Sequence, residues 1–290
     1  MAGAGLTVLN SMAGQEFEKA LEQHLLWGLS AMDLKDHVLG KQIMDLRDFE
    51  LEQAADIIED RDLTVYCLST NLFDDEVEDG KNAFVERHVK RVDRAIRVAQ
   101  VFDPNLIRLI APRSRNRSNV PDGVVYLQKE HDWLIPFYMD AIEKLYEAGF
   151  NVTIENEARG SLLANAEETL TFFDLLGFDS EVCFTWDIQN MWQMGSYPSL
   201  ELYEQLKPVI GYVHLKGGQS DGNGNELMWK SSLEDASWPI VEIVSQVVED
   251  GVSPVICLNP SHGKEKPGYD YRFMVQRDLE FLRLDIPGIR

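Results

Sequence analysis

Four short stretches end an apolar run on a polar side chain: Ile154-Glu155-Asn156, Trp186-Asp187, Val213-His214 and Leu258-Asn259. They are spaced about one strand-plus-helix unit apart. Two carboxylates and an imidazole, with coordination positions left open, suit an octahedral divalent ion better than closed tetrahedral Zn²⁺. Mn²⁺ is the first choice, with Mg²⁺ and Co²⁺ as alternatives. An ion of this kind holds two vicinal oxygens of a sugar and stabilises the enediolate formed when the carbon beside a carbonyl loses its proton. Glu155 is expected to serve as ligand and as base. Asn259 stands where a further carboxylate or imidazole would complete the ring; its amide oxygen can ligate but has no titratable proton to exchange. A strand-end Glu also caps helices, and a lone histidine in an apolar strand is commonly a core group. Repetition on successive strand ends is what favours the metal.

Such residues meet only if the strand ends share one face. Apolar β-rich runs are expected at Leu25–Met32, Val38–Met44 (the weakest), Leu63–Ser69, Leu106–Ala111, Asn151–Asn156, Glu181–Asp187, Val209–His214 and Pro254–Leu258. Helical periodicity lies between them at Leu51–Glu59, Phe84–Val101, His131–Ala148, Glu167–Leu176, Leu200–Leu206, Trp238–Val248 and Phe273–Leu282. Ala148-Gly149 and Leu176-Gly177 read as helix stops. Eight alternations fit an α/β fold, a single (β/α)8 barrel over residues 1–290, whose strands all present their C-terminal ends on one face. No glycine-rich phosphate cradle follows a strand, which argues against a dinucleotide or nucleoside triphosphate site. The loops Arg113–Asn119 and Gly217–Asn225, after the fourth and seventh strands, belong to the functional face.

Composition excludes several partners. With 49 Asp and Glu against 27 Lys and Arg, a formal charge of −22 repels nucleic acid and anionic membrane. A small phosphorylated ligand needs only a few local cations. Cys67, Cys183 and Cys257 sit in apolar runs as reduced core residues rather than as a disulfide set. Met1–Ala20 has neither a basic start nor an apolar block, so a secretory signal is not expected, nor is any membrane span; the default location is the cytoplasm. A homo-oligomer or a hetero-complex both remain open.

The phrases Val152-Thr153-Ile154-Glu155-Asn156-Glu157, Trp186-Asp187-Ile188-Gln189-Asn190 and Tyr212-Val213-His214-Leu215-Lys216 resemble the xylose-isomerase-like TIM barrel family of sugar (phosphate) isomerases and epimerases. The resemblance runs from the first strand to the last helix. It implies a divalent ion on Glu155, Asp187 and His214, with Lys216 near substrate oxygens. The family's fourth ligand is usually a Glu; here Asn259-Pro260-Ser261-His262 stands in its place. Asn190 occupies a position where relatives carry a histidine. Paired-carboxylate epimerisation is therefore disfavoured against a one-base reaction that uses Glu155 or His262. His37 and Arg113 are placed to face the substrate, with Arg115 and Arg117 as further cations. Trp186, Trp192 and Trp229 are candidates for stacking on a sugar ring, and Glu157 reads as a helix-start or supporting carboxylate.

The leading expectation is a metal-dependent sugar isomerase or epimerase. Next comes a lyase, either a dehydratase or an eliminase of 3-oxo-glycosides, including cleavage of C-glycosides. A non-catalytic barrel that binds a carbohydrate or a partner protein is the alternative from another class. A DNA-repair endonuclease is disfavoured by the charge.

Overall fold

The computed structural model describes residues 3–178, 180–222 and 226–290. Eight parallel strands form one sheet: β1 (Gly5–Val8), β2 (Ala31–Leu34), β3 (Thr64–Leu68), β4 (Leu106–Ile110), β5 (Asn151–Glu155), β6 (Val182–Asp187), β7 (Ile210–Leu215) and β8 (Val255–Leu258). Each pairs in parallel with its sequence neighbour from β2 to β8, and β8 pairs with β1. Between β1 and β2 only a single bridge, Leu9 to Asp33, completes a nearly closed barrel. The outer layer is α1 (Phe17–Leu26), α2 (Asp48–Glu59), α3 (Val92–Phe102), α4 (Leu134–Glu147), α5 (Ala166–Leu176), α6 (Leu200–Leu206), α7 (Ile240–Asp250) and α8 (Tyr271–Asp285). Among the described residues no helix is long and apolar enough to cross a membrane.

Strand alternation divides the side chains between two environments. On β6, Phe184 and Trp186 point to the helices, where Phe184 meets Phe173 edge-on and Trp186 stacks on Tyr203 of α6. Thr185 and Asp187 point inward, and Thr185 shares a hydrogen bond with Thr153 of β5 at 2.5 Å. Burial of each large outward side chain contributes about 1.5–3 kcal/mol. Local signals set the helix ends. Asn165, Ser199 and Asp270 accept hydrogen bonds from the first turns of α5, α6 and α8. Gly177 (φ +71°) supplies the left-handed residue that stops α5.

The barrel was expected, but its first third is differently built. β1 lies at Gly5–Val8, before any expected strand, and the run beginning at Leu25 is the end of α1 followed by β2. The weak run Val38–Met44 is no barrel strand; it forms a small hairpin, His37–Val38 against Lys41–Gln42, and a single 3₁₀ turn. His37 thus follows the second strand. The helix expected over Phe84–Val101 is broken at His88, and the helix Gly123–Glu130 went unforeseen. Residues 223–225 of the long loop after β7 lie outside the described residues.

Candidate metal centre

Barrel register brings the four strand ends together. Asp187 lies level with His214, and His214 with Cys257, two residues before Asn259. Ligand atoms of Glu155, Asp187 and His214 all fall within 4.8 Å of one another. Glu155 Oε1 lies 2.7 Å from His214 Nδ1, and Glu155 Oε2 accepts from Arg108 of β4 at 2.5 Å. Lys216 Nζ forms an ion pair with Asp187 Oδ2 at 2.6 Å and donates to Asn190 Oδ1 at 2.9 Å. Asp187 Oδ1 accepts the backbone N–H of Asn190 at 2.9 Å, so this carboxylate also caps the short helix Ile188–Gln193. Asn259 places Nδ2 2.7 Å from His214 Nδ1, and its Oδ1 is buried with no partner among the described residues.

Charge is concentrated in a buried site. Burial disfavours the Glu155 anion, but His214 and Arg108 outweigh it and hold the carboxyl well below its usual range. Burial also works against the His214 cation, yet Glu155 and Asp33 push it up to about 9. Asp187 is raised, by burial first and by Glu155 beside it, with Lys216 opposing. The donors fit a hard divalent ion: two carboxylates, an imidazole whose Nδ1 faces Glu155 and Asn259, and an orphaned amide oxygen. Arg108 and Lys216 orient the two carboxylates from behind, as supporting groups around a metal do.

A cavity of about 920 Å³ opens at the same barrel face, lined by Arg113, Glu157, Arg159, Lys230, Ser261 and His262. His262 follows β8, and its Nδ1 lies 2.8 Å from Gln193 Oε1. Burial, then Lys216, Arg159 and Lys230, push its pKa down to about 3, so the ring is neutral. Arg113 reaches the cavity while paired with Asp74 at 2.8 Å.

The other candidates lie elsewhere. Trp186 is fully buried against the helices, because the residue before an inward Asp187 must face outward. His37 is exposed on its hairpin, with only Gln42 near its ring, at 3.5 Å. Trp192 packs on Trp238, and Trp229 belongs to the hairpin after β7. Arg115 pairs with Glu76 and Asp79, and Arg117 with Glu168, all tying loops together. Glu157 lines the cavity rather than starting a helix.

Sequence reading passed over Arg108 and Asp33. Arg108 is the middle residue of Leu-Ile-Arg-Leu-Ile, and a guanidinium inside an apolar strand needs a buried acid, which was a usable signal. Asp33 is fully buried, accepts from Tyr212 at 2.5 Å and Thr7 at 3.1 Å, and sits 3.6 Å from His214 Nε2.

The family model for the xylose isomerase-like TIM barrel matches residues 25–277. No curated protein matches the chain. Solved structures share its fold. The probable 3-DHS dehydratase AsbF of Bacillus anthracis superposes with TM-score 0.72 at 16% identity, over 96% of this chain and 98% of its own. A xylose isomerase-like TIM barrel protein from Mycobacterium smegmatis, in complex with magnesium, gives 0.72 at 15% identity over 97% and 95%. D-psicose 3-epimerase in the presence of D-fructose gives 0.72 at 15% identity over 98% and 99%.

Proposed function

The chain belongs to the xylose isomerase-like TIM barrel family, and from that premise we propose that it is a divalent-metal-dependent sugar isomerase or epimerase. The observation that carries this reading is the convergence of Glu155, Asp187 and His214, with ligand atoms within 4.8 Å, beside a cavity of about 920 Å³. An epimerase among the structural neighbours supports this reading, and a probable dehydratase supports the lyase alternative below.

Glu155, Asp187, His214 and Asn259 would hold the ion. When bound, it supplies Lewis-acid charge for two adjacent substrate oxygens, Mn²⁺ fitting best and Mg²⁺ or Co²⁺ next. Lys216, held by Asp187 and Asn190, presents an ammonium toward the oxygen that gains charge. Both oxygens of Glu155 are engaged by His214 and Arg108, which weakens it as a base. The proton-accepting role therefore falls to neutral His262, on the cavity wall. The substrate C–H bond breaks, its proton passes to the imidazole, and its electron pair enters the enediolate. Returning the proton to the neighbouring carbon, with the hydroxyl proton moving to the former carbonyl oxygen, yields the isomer.

A lyase is the second reading, because Asn259 removes the second carboxylate base and a single base suffices for β-elimination. A dehydratase releases water, and a 3-oxo-glycoside eliminase releases the aglycone, so product mass separates both from an isomerase.

The test is calorimetric titration of metal-stripped protein with Mn²⁺, followed by a screen of ketoses and 3-oxo-glycosides for proton exchange in heavy water. One tight site and exchange that is lost in Glu155→Gln are expected. Absence of Mn²⁺ binding, or full exchange in that variant, would overturn the assignment and favour a carbohydrate-binding barrel without catalysis.

A further inference from the structure

The short helix Ile188–Gln193 carries two glutamines that the ligand set does not use. Gln189 and Gln193 are four residues apart, on one side of the helix. Gln189 is fully buried and bridges two loops: its amide nitrogen donates to the Gly217 carbonyl after β7, and its Oε1 accepts the His262 N–H at 2.9 Å after β8. Ser261 Oγ donates to the same Gly217 carbonyl at 2.6 Å. Gln193 Oε1 meets the ring of that histidine at Nδ1, 2.8 Å away. One helix thus holds both the backbone and the imidazole of His262.

The chemistry of that contact is directional. An amide oxygen accepts but cannot donate, so it selects the ring form with its proton on Nδ1 and the lone pair on Nε2. His262 lines the cavity, and Nδ1 is the ring nitrogen that Gln193 holds.

We propose that Gln193 and Gln189 are positioning residues that hold His262 as its Nδ1–H tautomer, with Nε2 presented to the cavity as the acceptor of the substrate's carbon-bound proton. The inference rests on the proton-abstraction reading above. In the step, the substrate C–H bond breaks, the proton forms an N–H bond at Nε2, and the electron pair passes into the enediolate; the imidazolium then returns that proton to carbon or to a leaving group. The charged groups facing the ring are Lys216 and Lys230 from the segments after β7, Arg159 after β5, and Glu155 at the end of β5. Burial first, and then three cations against one carboxylate, keep the resting ring unprotonated. Electron-rich substrate oxygens beside Lys216 would relieve that repulsion and raise the ring's basicity as the substrate binds.

Long-range ¹H–¹⁵N spectra of the histidine ring nitrogens in metal-free protein test the geometry without turnover, His262 being assigned by the signal lost in His262→Gln. The Nδ1–H form is expected in the unsubstituted protein, a mixture of tautomers in Gln193→Leu, and a single form again in Gln193→Glu. An Nε2–H tautomer in the unsubstituted protein, or an unchanged pattern in Gln193→Leu, overturns the proposal. On a sugar found by the exchange screen, Gln193→Leu is expected to lower kcat roughly 10- to 100-fold, with KM and Mn²⁺ affinity within about twofold. Gln193→Glu should recover much of kcat and move the acid limb of the profile to higher pH, because a carboxylate at Nδ1 stabilises the imidazolium. A parallel fall in Mn²⁺ affinity would make Gln193 merely structural and overturn the positioning role. A protein inert toward every sugar, yet with the expected tautomers, would sink the functional reading and leave the ring geometry standing.

Discussion

Asn259 carries the plainest departure of this site from a ring of titratable ligands, and its buried Oδ1 lacks a partner. Asn259→Glu puts a full negative charge where an amide dipole stands, beside an imidazole 2.7 Å away. Mn²⁺ should bind on the order of tenfold more tightly, since a full charge attracts the ion far more than an amide dipole in a poorly solvated site. Calorimetry reads this directly, and unchanged affinity would mean that the side chain is not directed at the ion. Glu155, Asp187 and His214 were legible as strand-end polar residues because alternation and chain position are local. The partners of those residues were not legible. The Arg108–Glu155 pair spans 47 residues and the Lys216–Asn190 contact 26, distances over which a sequence pattern carries no pairing information. Trp186 failed as a sugar platform for a local reason: adjacent strand residues cannot both face the barrel interior.

At the scale of elements, the helix Ile188–Gln193 joins most of the site. A carboxylate of the ligand set caps it, and it carries Gln189, Asn190 and Gln193 toward the strand ends. The loop after β7 is locked against it through Gly217, where an added Cβ would meet the Ser231 and Ser232 carbonyl oxygens at 2.2 and 2.5 Å. Those atoms are backbone and cannot rotate aside. Gly217→Ala is therefore expected to cost about 1–3 kcal/mol, as overpacking does. It should also weaken turnover, because the Gly217 carbonyl takes both the Gln189 and the Ser261 contacts. Chemical denaturation with an unshifted midpoint would contradict the close approach. The barrel strands misjudged from sequence sit in the first third. β1 and β2 have only four residues each, too short for a period to declare itself, and Gly28 at φ +71° ends the helix just before β2. Parallel pairing with β8 and β3 makes them strands.

For the whole molecule, pH probes the buried charges together. His214 holds its proton to about pH 9 when folded, against an ordinary value of 6.5. A raised folded value stabilises fully below pH 6.5, and that stability is lost as pH rises toward 9. Asp278, pushed up to about 7 by burial, is half ionised at pH 7 and adds a smaller decline of the same sign, while His262 is neutral when folded. Metal-free protein should thus lose about 2 kcal/mol through His214 between pH 7 and 9. Urea unfolding at the two pH values measures it, with His214→Asn expected to lose most of the decline; a decline of equal size in that variant would place the linkage elsewhere.

The amino-acid sequence by itself determined the eightfold alternation of apolar runs and helices, the acidic balance, and the chemical identity of the strand-end donors. Each depends on residue type and on a repeat of two or 3.6 residues, which the chain expresses locally. Tertiary structure decided which cation faces which carboxylate, which face Trp186 takes, and that Gln193 meets His262 across 69 residues. Those outcomes follow from barrel closure and strand register, which fix neighbours only when all eight strands are in place.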